Sequence, residues 1–178
     1  MPTHYIASAD ELAALCDRLR HAPWIALDTE FMRERTYYAK LCLVQIATPD
    51  LIACVDPLAL DDLQPLLDLI YNPQVLKVLH SARQDLEVFF DLRGTPPAPV
   101  FDTQIAAAFL GFDDQVGYAA LVEAVTGVKL DKAHTRANWA LRPLSAGQIT
   151  YAEDDVRYLR DVYQDLQQRL EESGRLAW

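Results

Sequence analysis

Apolar residues recur along this chain with two different periods, and the alternation between them lays out the fold. Near the N-terminus Leu12, Leu15, Cys16 and Leu19 repeat at helical spacing behind Ser8-Ala9-Asp10-Glu11, which has the form of a capping box. This predicts a helix over 8–20, closed by Pro23. Residues 24–29 are a continuous apolar run, the mark of a buried strand. Residues 41–47 and 51–55 flank the turn signal Pro49-Asp50 and predict a hairpin, so these first three strands are expected to be antiparallel neighbours.

Beyond the hairpin, helical and strand patterns alternate. Helices are expected over 61–71, over 81–92 with Ser81 and Gln84 as a capping box, over 102–110 capped by Asp102, and over 117–125. Short strands are expected at 75–79 and 99–101. Residues 127–144 read as irregular, and Ser145-Ala146-Gly147-Gln148 caps a long final helix to about 172. Strands that begin antiparallel and then alternate with helices predict an α/β fold, a mixed sheet with helices on both faces. Neither internal repeats nor low-complexity tracts interrupt it, so 1–178 is expected to be a single domain.

Composition narrows the picture. With 51% apolar and 24% charged residues the chain reads as an ordinary soluble domain, without a run long enough to span a membrane and without a charged-then-apolar leader. Three cysteines, odd in number and set in apolar stretches, point to buried free thiols and to the cytoplasm. A net charge of −10 argues against tight binding of a long polyanion. It leaves open an enzyme that meets a phosphodiester through metal ions held by carboxylates.

Asp28 and Glu30 stand two apart at the end of the apolar run 24–29, so they project on one face. Two carboxylates aimed the same way at the end of a buried strand repel each other and are costly to desolvate, and a divalent cation offsets both effects. Asp85 lies in the first turns of the helix after strand 75–79, and Tyr151 and Asp155 stack four apart on the final helix. Each of these has a plain structural reading: Asp85 as a favourable charge at a helix N-terminus, Asp154 and Asp155 as solvated acids, Tyr151 as a tyrosine at the core edge. Together, four carboxylates suit two hard cations about 4 Å apart that activate a water and stabilise a leaving oxygen. Tyr151 is placed to orient that water; its free pKa near 10 leaves most of the activation to the metal.

This constellation resembles the DEDD exonuclease superfamily, whose tyrosine branch carries Asp-x-Glu, a second Asp, and Tyr-x-x-x-Asp. The surroundings resemble ribonuclease D: Asp28-Thr29-Glu30-Phe31 with Arg33, Thr36-Tyr37-Tyr38 and Leu43-Val44-Gln45; then His80-Ser81-Ala82-Arg83-Gln84-Asp85 with Phe101-Asp102-Thr103-Gln104; then Leu130-Asp131-Lys132, Trp139, Arg142-Pro143-Leu144 and Tyr151-Ala152 with Asp155-Val156. The resemblance runs from about 20 to 165. It implies a ribonuclease H-like fold and removal of nucleoside 5′-monophosphates from RNA 3′ ends with Mg²⁺ or Mn²⁺. Asp28, Glu30, Asp85 and Asp155 would then be metal ligands and Tyr151 the water-positioning group. Spacing from Tyr151 selects Asp155 over Asp154. It further implies 3′ processing of tRNA precursors and other small stable RNAs, by a chain expected to be monomeric. Ala39 departs from a proline common in the family. The family's helical HRDC domains, which help hold RNA, are absent from these 178 residues, and the acidic balance agrees with a weak grip on RNA.

Supporting residues carry two readings each. His80 is a candidate for substrate contact, against a hydrogen-bonded structural histidine. Phe31 and Met32 are candidates to wedge against a terminal base, against core packing. Lys132, His134, Arg136 and Arg142 form the one locally basic stretch, of which some are expected at phosphates. Gln45, flanked by apolar residues, reads as a buried hydrogen-bonding group rather than a substrate reader. A zinc site is not expected, since no paired Cys/His spacing exists. The rivals to RNA hydrolysis are a DNA exonuclease of the same chemistry and an inactive nucleic-acid-binding module.

Overall fold

The computed structural model describes residues 3–33, 38–131 and 137–176. Among these residues six strands form one sheet: β1 (Thr3–Ile6), β2 (Trp24–Met32), β3 (Lys40–Thr48), β4 (Leu51–Val55), β5 (Leu76–Leu79) and β6 (Val100–Asp102), in the order β1-β4-β3-β2-β5-β6. The pairs β2–β3 and β3–β4 are antiparallel, whereas β2–β5, β5–β6 and β1–β4 are parallel. Strand β2 therefore stands where antiparallel pairing meets parallel pairing, and the mixed α/β sheet expected from the sequence is the one observed.

Among the described residues six helices cover the sheet: α1 (Ala9–Leu19), α2 (Gln64–Ile70), α3 (Arg83–Arg93), α4 (Thr103–Phe109), α5 (Tyr118–Thr126) and α6 (Ala146–Glu172). Leu12 and Leu15 of α1, Leu66 and Ile70 of α2, and Val88 and Phe89 of α3 pack with Ile25, Leu27, Val44 and Ile46 of the sheet. On the other face Val156, Leu159 and Tyr163 of α6 pack over Ala26, Ala47, Ile52 and Val78. Ala26 and Ala47 are directly paired across β2 and β3, and two small side chains in register let α6 lie close to the sheet. Helices α4 and α5 close that layer through Ala106, Ala107, Leu121 and Val122 against Val162, Leu166 and Leu170.

Helix boundaries follow their caps. Both capping boxes read from the sequence, Ser8 with Glu11 and Ser145 with Gln148, are present. The one expected at Ser81 is not. Helix α3 starts at Arg83 without a side-chain cap, and Ser81 takes a left-handed φ of 54°. The Asp102 carboxylate supplies the cap from the end of β6, accepting from the Ser81 and Ala82 N–H at 3.0 and 2.9 Å while also capping α4 through Gln104. A single acid thus serves two helix starts, a long-range solution invisible in local sequence. Strand β1 was also not anticipated, because four residues at a sheet edge carry too little pattern.

Lys77 of β5 is fully buried. Its ammonium donates to the carbonyls of Asn72, Val75 and Ala98 at 2.9, 2.5 and 2.9 Å. Burial pushes it down to about 8. Among the described residues no helix is long and apolar enough to cross a membrane, and Cys16, Cys42 and Cys54 are free thiols, all buried.

Candidate active site

Strand β2 delivers Asp28 and Glu30 to the face covered by α6. The next residues break register: a bulge falls between Glu30 and Phe31, which turns the strand end away from the sheet plane. From above, α6 contributes Asp155. One oxygen from each of Asp28, Glu30 and Asp155 lies within 4.8 Å of the other two. None of these three, nor Asp85, forms an ion pair with a Lys, Arg or His among the described residues. Asp154, by contrast, pairs with Arg157 at 3.1 Å and lies outside the trio of converging oxygens.

Asp85 arrives from the opposite layer, in the first turn of α3, and is 7% exposed. It is not within the compact trio. The Thr29 hydroxyl, which points away from Asp28 and Glu30, donates to one Asp85 oxygen at 2.5 Å. Thr29 is the functional neighbour that sequence reasoning missed, although its place between the two acids was the available signal.

The electrostatics follow from burial with no counter-charge paired to these acids among the described residues. Desolvation, then the neighbouring Asp85, Asp155 and Glu30 charges, raise the Asp28 carboxyl well above its ordinary range. Burial and then Asp155 and Asp85 push Glu30 up to about 9. Asp155 is raised to about 7 by burial and Asp154. Asp85 rises to about 6 through burial, with the Thr29 hydrogen bond opposing. Four oxygen-donor acids near one strand end, unpaired with any cationic side chain among the described residues, fit a hard divalent cation.

Tyr151 stands one helical turn before Asp155 and shares with it a pocket of about 230 Å³, bounded also by Leu130, Asp131, Gly147, Thr150 and Asp154. Its ring lies 6.1 Å from that of Trp139, which is 2% exposed and has no partner for its indole N–H among the described residues. Tyr118 of α5 donates to the backbone carbonyls of Asp154 and Asp155 at 3.1 and 2.5 Å. It fixes the turn that carries Asp155, and no sequence pattern marked it.

The supporting residues divide. Both ring nitrogens of His80 are engaged, Nδ1 with the Thr103 hydroxyl at 2.9 Å and Nε2 with the Val116 carbonyl at 3.1 Å, which is the geometry of its structural reading. Phe31 packs partly against the α1–α3 core and Met32 against the Trp139 cluster. Lys132, His134 and Arg136 lie outside the described residues. Arg142 faces inward: it grips Asp56 through Nε and Nη2 at 2.6 and 2.7 Å and the Cys42 carbonyl at 2.6 Å. Tyr5 adds a third bond to Asp56 at 2.6 Å. This network anchors the segment leading into α6 to the end of β4. A larger apolar groove of about 1110 Å³ lies between α3 and α4 and contains none of the clustered acids.

Comparison with known proteins bears on this site. Residues 3–171 match the 3′–5′ exonuclease family. Ribonuclease D of Granulibacter bethesdensis is 52% identical over 174 residues, 97% of this chain and 44% of that protein. The crystal structure of Escherichia coli RNase D, described as an exoribonuclease involved in structured RNA processing, superposes with a TM-score of 0.93 at 44% identity, over 99% of this chain and 47% of that one. Brucella melitensis NrnC with bound Mg²⁺ has a TM-score of 0.78 at 28% identity, over 97% of this chain and 83% of that one. The chain thus spans about half the length of the ribonuclease D proteins it matches.

Proposed function

The chain belongs to the 3′–5′ exonuclease family and is similar to ribonuclease D along its length, and from that premise we propose that it is the catalytic domain of a 3′–5′ exoribonuclease. The observation that carries this reading is the convergence of Asp28, Glu30 and Asp155, with Asp85 tethered beside them by Thr29, and with no cationic side chain among the described residues paired to any of the four. Asp28, Glu30, Asp85 and Asp155 would hold two divalent cations, Mg²⁺ or Mn²⁺. Such cations, when bound, supply Lewis acidity and a water of lowered pKa.

The chain's own residues then have separate tasks. Tyr151, on the pocket wall beside Asp155, orients the attacking water toward phosphorus. Water's oxygen forms the new bond to phosphorus and the bond to the 3′ oxygen breaks. A nucleoside 5′-monophosphate leaves, and the shortened RNA keeps a 3′-hydroxyl. Phe31 and Met32, half-buried at the end of β2, would contact the terminal nucleoside with the faces left open, with Lys132 and Arg136 as candidates for the phosphates behind it. The substrates this supports are RNAs with a free 3′ end, tRNA precursors among them. We infer action as a monomer in the cytoplasm, in keeping with three free buried thiols.

The test is end-labelled RNA with Mg²⁺ or Mn²⁺. Mononucleotides should be released from the 3′ end, and Asp28→Asn or Asp155→Asn should abolish release while leaving the fold intact. Unchanged hydrolysis by either variant refutes the site. Equal or faster degradation of single-stranded DNA favours a DNA exonuclease.

A further inference from the structure

Directly opposite Asp28 in the β2–β3 register stands Gln45. It is completely buried, and neither its amide nitrogen nor its amide oxygen has a hydrogen-bond partner among the described residues. A buried amide left unpaired costs stability, and an apolar residue of the same size would avoid that cost. The position of the side chain suggests what offsets it.

Directly paired residues of antiparallel strands point to the same face, with Cβ atoms about 5 Å apart. Gln45 pairs with Asp28 on one side and with Cys54 of β4 on the other. Along that face the flanking pair Ala26–Ala47 lies under Val156, Leu159 and Tyr163. The other flanking pair, Glu30–Leu43, has Leu43 under Trp139 and Ala152. Gln45 is therefore roofed by the turn of α6 between Ala152 and Val156, the turn that carries Asp155. Cys54 registers the same surroundings: its thiol is pushed up to about 12 by burial, with Glu153 and Asp155 adding to the rise.

The acids around it are served unequally. Asp85 has the Thr29 hydroxyl fixing one oxygen. Asp28 has no side-chain donor of its own among the described residues, and Gln45 is its cross-strand neighbour with two N–H groups to give. We propose that Gln45 is a positioning residue of the acid cluster, its amide N–H fixing the Asp28 carboxylate through one bridging water in the orientation that binds a divalent cation. This rests on the exonuclease reading of the site and extends it to a residue that touches neither substrate nor the reacting atoms.

The experiment compares Mn²⁺ binding, by electron paramagnetic resonance of free Mn²⁺ and without RNA, in the wild type, Gln45→Met and Gln45→Asn. Gln45→Met keeps the length and loses the donors: Mn²⁺ affinity should fall about 10- to 100-fold while the melting temperature of the metal-free protein stays the same or rises. Gln45→Asn keeps the amide but withdraws it by one methylene, and should lose affinity as well. Mn²⁺ binding by Gln45→Met equal to that of the wild type overturns this inference alone. Absence of Mn²⁺ binding in the wild type overturns the exonuclease reading with it. Should Gln45→Met fail to fold, the wild type decides: in ¹⁵N-labelled protein the Gln45 side-chain amide protons should move downfield as Mg²⁺ saturates the site, and unmoved resonances overturn the inference.

Discussion

The Thr29 hydroxyl holds Asp85 across the end of the sheet at 2.5 Å, binding the acid of one layer to the strand that bears the acids of the other. Thr29→Val keeps the shape and removes the donor. The Asp85 carboxyl should then rise further, because its charged form loses a hydrogen bond. Mn²⁺ affinity should drop about 10-fold, and the acid limb of the activity–pH profile should move to higher pH. An unchanged profile in a well-folded variant would show that Asp85 is oriented by something else.

The metal-free protein should lose stability as pH rises. Free carboxyls titrate near 4, whereas in the folded protein Asp85, Asp155 and Glu30 titrate near 6, 7 and 9. Between those limits the folded state binds more protons than the unfolded chain, so the stability these groups contribute is present below about pH 4 and is lost through about pH 9. Melting curves in chelator should fall across that window, and saturating Mg²⁺ should flatten the decline. A melting temperature that climbs steadily with pH in chelator would contradict the unneutralised cluster.

Tyr151→Phe should separate chemistry from metal binding. The ring still packs near Trp139, while the hydroxyl that orients water is gone. Turnover should fall about 100-fold with Mn²⁺ affinity close to that of the wild type, as read from activity across a metal titration. Equal losses in both would assign Tyr151 to the architecture of the site instead.

Arg142→Met tests the anchor of α6. The side chain of Asp56 is 3% exposed and would keep its charge with Tyr5 and one backbone N–H as remaining partners. Removing one member of such a pair costs about 3 kcal/mol, or roughly 6–12 °C in melting temperature for a domain of this size. A change within 2 °C, on the order of the smallest shift expected per kcal/mol, would mean the pair contributes little.

These experiments probe features of unequal visibility in the sequence. The Asp28/Glu30 pair was legible because strand periodicity alone puts i and i+2 on one face, and Tyr151 with Asp155 because helical periodicity does the same for i and i+4. Their meeting was not legible from period; it depends on Ala26 and Ala47 admitting α6 to the sheet and on the β1–β4 and β2–β5 pairings that set the strand order. Arg142 belongs to the basic stretch of which some residues are expected at phosphates, and it holds Asp56, a partner distant in sequence. Asp102 looked like one cap and proved to be two. In each case the missing information was a contact between segments distant in sequence, which no local pattern encodes.

Tyr151 and Asp155 share a helix with the residues that seal the core farther along, from Val156 to Leu170. Each residue of an α-helix advances the rotation by about 100°. Inserting or deleting a single residue between 151 and 156 would therefore swing the tyrosine and the acid out of alignment with a fixed apolar stripe. Length variation among homologous chains should be rare in that stretch and more readily accommodated in the irregular segment before Ser145, so an alignment of gaps, without reference to residue identity, would trace the mechanical coupling between chemistry and core.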